Sequence, residues 1–184
     1  MTSAAATQDL EQLKYPTGKL SLQPNPTSQQ IQGWIDQIVA FPQNLRAVVN
    51  GLDDARLDTP YRPDGWTVRQ VVHHVVDSHV NAYIRVHWVL TEDRPTIKAY
   101  DQAAWSALPY SVSAPIATSL NMLEATHHRW VAVMRLISPE QWQREYFHPE
   151  DQRWFKLTDL VQIYAWHSGH HLAHITSLKE RMGW

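Results

Sequence analysis

The sequence predicts an all-α protein, a four-helix bundle. Apolar residues recur every three to four positions over four long segments, which is the period of an amphipathic helix. Little of the chain has the pattern of a strand, and no internal repeat is present. The 184 residues suit one domain, which buries roughly 70% of the surface of its unfolded chain. Amphipathic helices bury their apolar faces against one another, so we expect one bundle around one core.

Residues 1–26 are predicted to form an extended N-terminal arm. The segment has little apolar repetition, and helix-breaking residues recur along it: Pro16, Gly18, Pro24 and Pro26. A helix-start sequence, Asn25-Pro26-Thr27-Ser28, follows directly. We therefore place a single bundle domain at residues 27–184.

The first two helices follow from apolar spacing and from the residues that break it. The first is predicted over residues 28–51, where we expect Pro42 to kink or re-cap the helix because proline lacks the amide hydrogen. The second is predicted to begin at about Thr67 and to end at about Leu90, before Pro95.

The second half of the chain is predicted to contain two more helices and a small hairpin. Residues 92–113 form a long excursion with one short helical turn, too long for a simple connector. The third helix follows over about 115–137, and Ser138-Pro139 predicts a single turn after it. Two aromatic pairs around a polar turn predict a hairpin at 146–155. The last helix is predicted over 158–182 and ends at a glycine.

The chain has eleven histidines and no cysteine. Disulfides, iron–sulfur clusters, cysteine-ligated zinc fingers and cysteine nucleophiles are therefore excluded. A metal would have to be held by imidazole, carboxylate or water.

Charge and hydropathy argue against several partners. The net charge is −2, and the charges alternate without forming blocks, so nucleic-acid binding and polybasic membrane docking have no electrostatic basis. No stretch approaches 18 uninterrupted apolar residues, and Met1–Gln8 lacks the pattern of a secretion signal. We expect a cytoplasmic protein.

The last helix carries four histidines within eight residues: His167, His170, His171 and His174. His167 and His171 lie on the apolar stripe of that helix. At a spacing of four residues their Cβ atoms are about 6 Å apart, close enough for both rings to bind one ion. The alternative is a pair of core histidines hydrogen-bonded to backbone or aromatic partners.

A metal site needs a third ligand, and the second helix offers three candidates. His79 lies on the apolar face of that helix, with His73 and His74 earlier in it. His74 belongs to a polar stripe, which is either a solvated surface or the wall of a polar cleft. Periodicity alone does not choose among the three.

Three parts of the chain together resemble the DinB superfamily, specifically its YfiT-like family of metal-dependent hydrolases. The first part is Tyr61–Arg85, which contains Trp66, His73, His74, Asp77, His79 and Asn81. The second is Tyr164–Thr176, which contains Trp166, His167, His170, His171 and His174. The third is the closing Arg181-Met-Gly-Trp184, and the likeness extends over the chain from Tyr15 onward.

The resemblance implies a divalent metal, zinc or nickel, held by three histidines. One ligand lies eight residues after the motif tryptophan, which is His74, and the other two are His167 and His171. The family also implies a homodimer and a small-molecule substrate. Three neutral imidazoles leave the ion an open position, as in catalytic sites, where it activates water or polarises a substrate.

The reaction and its remaining residues are less determined by the sequence. We expect a metal-dependent hydrolase; the alternatives are a metal-dependent S-transferase that uses a low-molecular-weight thiol cofactor, and a non-catalytic metal-binding or stress-associated module. The candidates for a catalytic acid or base are Asp77, Glu124, His170 and His174. Asn81 and Arg85 are candidates for substrate binding, and an arginine there suits an anionic group.

Overall fold

The computed structural model describes residues 10–184 and contains four long helices arranged as a bundle. These are α1 (Ser28–Val49), α2 (Val68–Thr91), α3 (Ala117–Met134) and α4 (Leu157–Met182). The predicted fold class is confirmed, and each of the four predicted helices is present close to its predicted bounds.

The ends of the long helices follow from local side chains. The hydroxyl oxygens of Thr27 and Thr67 accept hydrogen bonds from the third amide of α1 and α2, and a glutamine at that third position accepts from the threonine amide in return. Gly183 ends α4 with a φ of 70°, a left-handed conformation that glycine adopts without strain.

Pro42 neither ends nor re-caps α1, contrary to one of the two outcomes expected from the sequence. The helix continues from Ser28 to Val49 with Pro42 inside it and buried. The packing of the flanking apolar residues therefore outweighs the loss of one intrahelical hydrogen bond.

The connection between α2 and α3 contains two short helices, Gln102–Ser106 and Pro109–Ser113, rather than the single predicted turn. It is tied to α2 through the Gln70 side chain, which donates to the carbonyl of Ser106 over 2.9 Å. A 3₁₀ turn at Gln141–Gln143 follows α3.

The predicted hairpin is present. Strand β1 (Glu145–His148) pairs antiparallel with β2 (Arg153–Lys156). The connection between α2 and α3 is hydrogen-bonded to β1 of this hairpin. The amide of Ile97 donates to the carbonyl of Phe147, and the amide of Phe147 donates to the carbonyl of Pro95. The hairpin and this connection therefore lie side by side.

The N-terminal segment lies along α4. Residues 10–14 are helical, contrary to the extended arm predicted there, and residues 15–27 have no regular secondary structure. Residues 1–9 of the predicted arm are outside the described part. The Gln23 amide donates to the Gln162 side chain, and Trp166 Nε1 donates to the carbonyl of Gly18. These bonds fix the segment beside the histidines of α4.

The core consists of two groups of buried apolar side chains. His79, fully buried, contacts Trp130 of one group and Phe41 of the other. Within residues 10–184, no helix has the length and apolar composition needed to cross a membrane.

Candidate metal centre

The structure brings together the three histidines that the family resemblance selected. His74 extends from α2, and His167 and His171 extend from successive turns of α4. One nitrogen of each ring lies within 4.8 Å of the corresponding nitrogen of the other two. Nε2 of His74 and Nε2 of His167 are 3.3 Å apart. Three ring nitrogens at such distances can converge on one ion.

The three rings are largely buried. His74 and His171 are buried, and His167 is partly buried. The ring of Trp66 packs against His74 with 4.5 Å between centroids and lies 6.4 Å from the ring of His171. Trp66 therefore shields one side of the cluster from solvent.

The electrostatics of the cluster favour neutral rings. Burial lowers the pKa of His74 to about 4 and lowers the pKa values of His167 and His171 well below their ordinary range, and the neighbouring histidines lower all three further. A neutral imidazole has one nitrogen lone pair, which is the form that binds a metal. The donor set therefore fits a divalent ion.

The other nitrogens of His167 and His171 contact further histidines. Nδ1 of His167 lies 3.1 Å from Nε2 of His79, and Nδ1 of His79 lies 2.7 Å from Nε2 of His127. Nδ1 of His171 lies 3.4 Å from Nδ1 of His174. Metal-ligating histidines are commonly oriented by a hydrogen bond at the nitrogen that does not bind the metal.

Two of these partners were not among the site residues predicted from the sequence. His79, on the apolar face of its helix, was a candidate for the third ligand until the family resemblance selected His74, and no sequence pattern pointed to His127. The pairing of His127 with His79 joins residues on α2 and α3, which periodicity within one helix does not reveal.

A cavity of about 500 Å³ opens beside the three histidines. Of the four predicted acid or base candidates, His170 and His174 line it. Glu124 is exposed and forms an ion pair with Arg46 at 3.3 Å, so it lies outside this cavity. Asp77 is partly buried, which raises its pKa, and it does not line the cavity either.

His170 and His174 differ in their hydrogen bonding. His174 uses both nitrogens, one toward His171 and one toward the carbonyl of Lys14, and its ring stacks on Tyr61. Nδ1 of His170 is buried and has no hydrogen-bond partner among residues 10–184. Burial lowers the pKa of each of these two histidines to about 4.

A second cavity, of about 850 Å³, adjoins the first, since His167 and Gln102 line both. Arg85 lines this second cavity and is only 8% exposed. Its Nη2 donates to the carbonyl of Lys98 over 3.3 Å, whereas its Nε is buried and has no partner in the described part of the chain. Asn81 donates instead to the carbonyl of Asp77 in its own helix and lines neither cavity.

Comparison with known proteins places the chain among close relatives of similar length. A protein of Bacillus pumilus (strain SAFR-032) named "Putative metal-dependent hydrolase" is 49% identical over 172 residues, which cover 94% of this chain and 98% of that protein. A Bacillus subtilis (strain 168) relative with the same name and the designation YfiT is 44% identical, and 94% of this chain and 97% of the relative are covered.

Two solved structures share the fold. The structure of YfiT from Bacillus subtilis, described as "a probable metal-dependent hydrolase with an unusual four-helix bundle topology", superposes with a TM-score of 0.92 at 43% identity, covering 94% of this chain and 99% of that one. A mycothiol-dependent maleylpyruvate isomerase superposes with a TM-score of 0.64 at 16% identity, covering 79% and 60%. This second likeness shows a common fold.

The family assignment expected from the sequence motifs is confirmed by these comparisons. The family model of the DinB superfamily matches residues 37–175, which include all three clustered histidines. The chain belongs to the DinB superfamily.

Proposed function

We propose that the protein is a metal-dependent hydrolase in which one divalent ion is held by His74, His167 and His171. The cluster of three buried imidazoles beside a cavity is the observation that carries the proposal. The names of the relatives with 44% and 49% identity support it. Zinc and nickel are our candidates for the ion because imidazole nitrogen suits both.

The chain supplies the ligands and the surroundings, and a divalent ion bound there would supply Lewis acidity that activates water and polarises the scissile group. Trp66 excludes solvent from one side of the cluster, which strengthens electrostatic interactions within it. We assign proton transfer at the reacting group to His170, because its ring lines the cavity beside the three histidines.

Arg85 is the proposed substrate-binding residue, and we place a carboxylate or phosphate group of a small-molecule substrate beside it. A buried guanidinium normally has an anionic partner, and within residues 10–184 no carboxylate lies within 4 Å of Arg85. The acidic residues of that cavity, Asp101 and Glu150, are exposed, and Asp101 accepts from the Ala104 amide. An anionic substrate group would satisfy Arg85 while the rest of the substrate reaches the histidines.

Turnover by metal-stripped and metal-restored protein tests the proposed reaction. We expect hydrolysis of small carboxylate-bearing esters or amides to disappear with the metal and to return with zinc or nickel. Activity that persists after complete removal of the metal would refute the assignment. The same assay with a generic electrophile and a panel of small thiols separates the S-transferase alternative, for which turnover depends on the thiol and hydrolysis is absent.

The Arg85→Gln variant tests the substrate-binding role. We expect KM for a carboxylate-bearing substrate to rise roughly 10- to 100-fold, as for the loss of a charged hydrogen bond, and KM for its neutral analogue to change little. The Arg135→Gln variant, at an exposed arginine, is the matched control. Equal changes for both substrates would argue against an anion-binding role.

A homodimer stays a prediction of the family resemblance.

A further inference from the structure

Pro42 leaves a backbone acceptor free in the middle of the bundle. In a regular helix the amide at position 42 would donate to the carbonyl four residues earlier, that of Ile38. Proline has no amide hydrogen, so α1 continues without this bond. The carbonyl of Ile38 instead accepts a hydrogen bond from Nδ1 of His127 on α3, over 2.7 Å.

From this carbonyl, a chain of three histidine rings extends to the proposed metal centre. Nε2 of His127 is 2.7 Å from Nδ1 of His79, and Nε2 of His79 is 3.1 Å from Nδ1 of His167. The chain therefore crosses from α1 through α3 and α2 to α4. His79 and His127 are nearly coplanar, with 11° between their rings, and Phe41 and Trp130 pack against both.

The direction of every hydrogen bond in this chain follows from its first acceptor. Three neutral rings carry three protons, and the three contacts need one proton each. The carbonyl of Ile38 can only accept, so His127 donates through Nδ1 and its Nε2 carries a lone pair. His79 must then donate to it through Nδ1, and His167 must donate through Nδ1 to Nε2 of His79.

We infer that His79 and His127 are positioning residues, which hold His167 in the tautomer whose Nε2 lone pair faces the metal. The inference rests on the proposed metal site and concerns how the chain prepares it. Nε2 of His167 is the nitrogen that lies 3.3 Å from Nε2 of His74, so the atom left unprotonated is the one at the centre of the cluster. The opposite tautomer would place a proton there.

His171, the other proposed ligand on α4, is oriented by a shorter chain of hydrogen bonds that runs through His174. Nε2 of His174 donates to the carbonyl of Lys14 over 3.1 Å, so its Nδ1 is an acceptor for Nδ1 of His171, 3.4 Å away. Nε2 of His171 is then also unprotonated. Two independent backbone carbonyls thus impose the same tautomer on both ligands of α4.

The tautomers can be measured directly in the metal-free protein. We expect ¹⁵N resonances of the imidazole rings to show His127, His79 and His167 protonated at Nδ1. Protonation of His167 at Nε2 would overturn the inference. This measurement needs neither metal nor substrate, so it remains decisive even if the protein proves to bind no metal and the proposed function fails.

Two variants of His127 separate positioning from packing. His127→Leu replaces the imidazole with an apolar side chain of similar size and so removes the acceptor for Nδ1 of His79. His79 can then adopt the other tautomer and donate through Nε2 to His167. We expect zinc affinity to fall roughly 10- to 100-fold, as for other losses of such a partner. His127→Gln should restore most of the affinity, because its amide can both donate to Ile38 and accept from His79.

The matched control is His128→Leu, at the exposed neighbouring histidine of α3, which should bind zinc like the wild type. Circular dichroism establishes that each variant is folded. Zinc affinities of His127→Leu equal to wild type, or equally low affinities for the leucine and glutamine variants, would overturn the inference.

Discussion

Acidification of the metal-free protein should unfold it through its buried histidines. Burial lowers the pKa of His74 from 6.5 to about 4, and burial likewise lowers that of His127 to about 4. The unfolded chain therefore binds more protons than the folded chain between these pH values. The stability that these groups contribute is complete above pH 6.5 and is lost as the pH falls toward 4.

The expected magnitude is large compared with the stability of a typical domain. Each of these two groups contributes a slope approaching about 1.4 kcal/mol per pH unit, or about 3 kcal/mol over the whole interval. Domains of this size are stable by about 5–15 kcal/mol, so a few such groups suffice to unfold the protein. The histidines repel one another when charged, so their contributions are not additive.

Urea unfolding of the metal-stripped protein at a series of pH values between 4 and 8 measures this slope. We expect the free energy of unfolding to level off toward pH 8 and to fall by at least about 2 kcal/mol per pH unit near pH 5.5. The His127→Leu variant removes one titrating group and should show a shallower slope. A wild-type slope below about 1 kcal/mol per pH unit would contradict the burial of neutral histidines on which the account of the site depends.

Three further predictions concern metal binding and stability. Zinc at about 100 times its dissociation constant should stabilise the protein by about 2.7 kcal/mol, visible as a raised Tm, and the His171→Ala variant should show no such rise. Pro42→Ala should raise the free energy of unfolding, because alanine favours a helix interior. It should also weaken zinc binding several-fold, because the new amide at position 42 competes with Nδ1 of His127 for the carbonyl of Ile38. Unchanged zinc affinity in calorimetric titration would count against the role of this carbonyl. Arg69→Met should lower the free energy of unfolding by about 1–3 kcal/mol, because the buried guanidinium of Arg69 forms ion pairs with Asp54 and Asp58 at 2.7 Å each. A change near zero in urea unfolding would show that these ion pairs add little stability.

The helices could be predicted because their apolar periodicity and end residues are local signals. Thr67 starts α2 and Gly183 ends α4, as their residue types indicate. Pro42 was harder to interpret, because the sequence shows the lost hydrogen bond but not the packing that keeps α1 continuous. The helical residues 10–14 were missed because the prolines and glycine that follow dominate the composition of the arm.

Sequence patterns likewise identify only some of the site residues. His167 and His171 could be selected from the apolar stripe of one helix, whereas His74 lies on a polar stripe and was selected only by resemblance to the family. The contacts of His79 and His127 join different helices, so they depend on how the helices pack. No pattern within either helix encodes that distance.

The metal content of purified protein shows directly whether His74, His167 and His171 hold a metal ion. After equilibration with zinc or nickel and removal of free ions, elemental analysis of the wild type and of His128→Ala should find about one divalent ion per chain, as expected for one three-ligand site. The variants His74→Ala, His167→Ala and His171→Ala should each have lost it while remaining folded. Equal metal content in the wild type and in these three variants would show that the histidine cluster does not hold the metal.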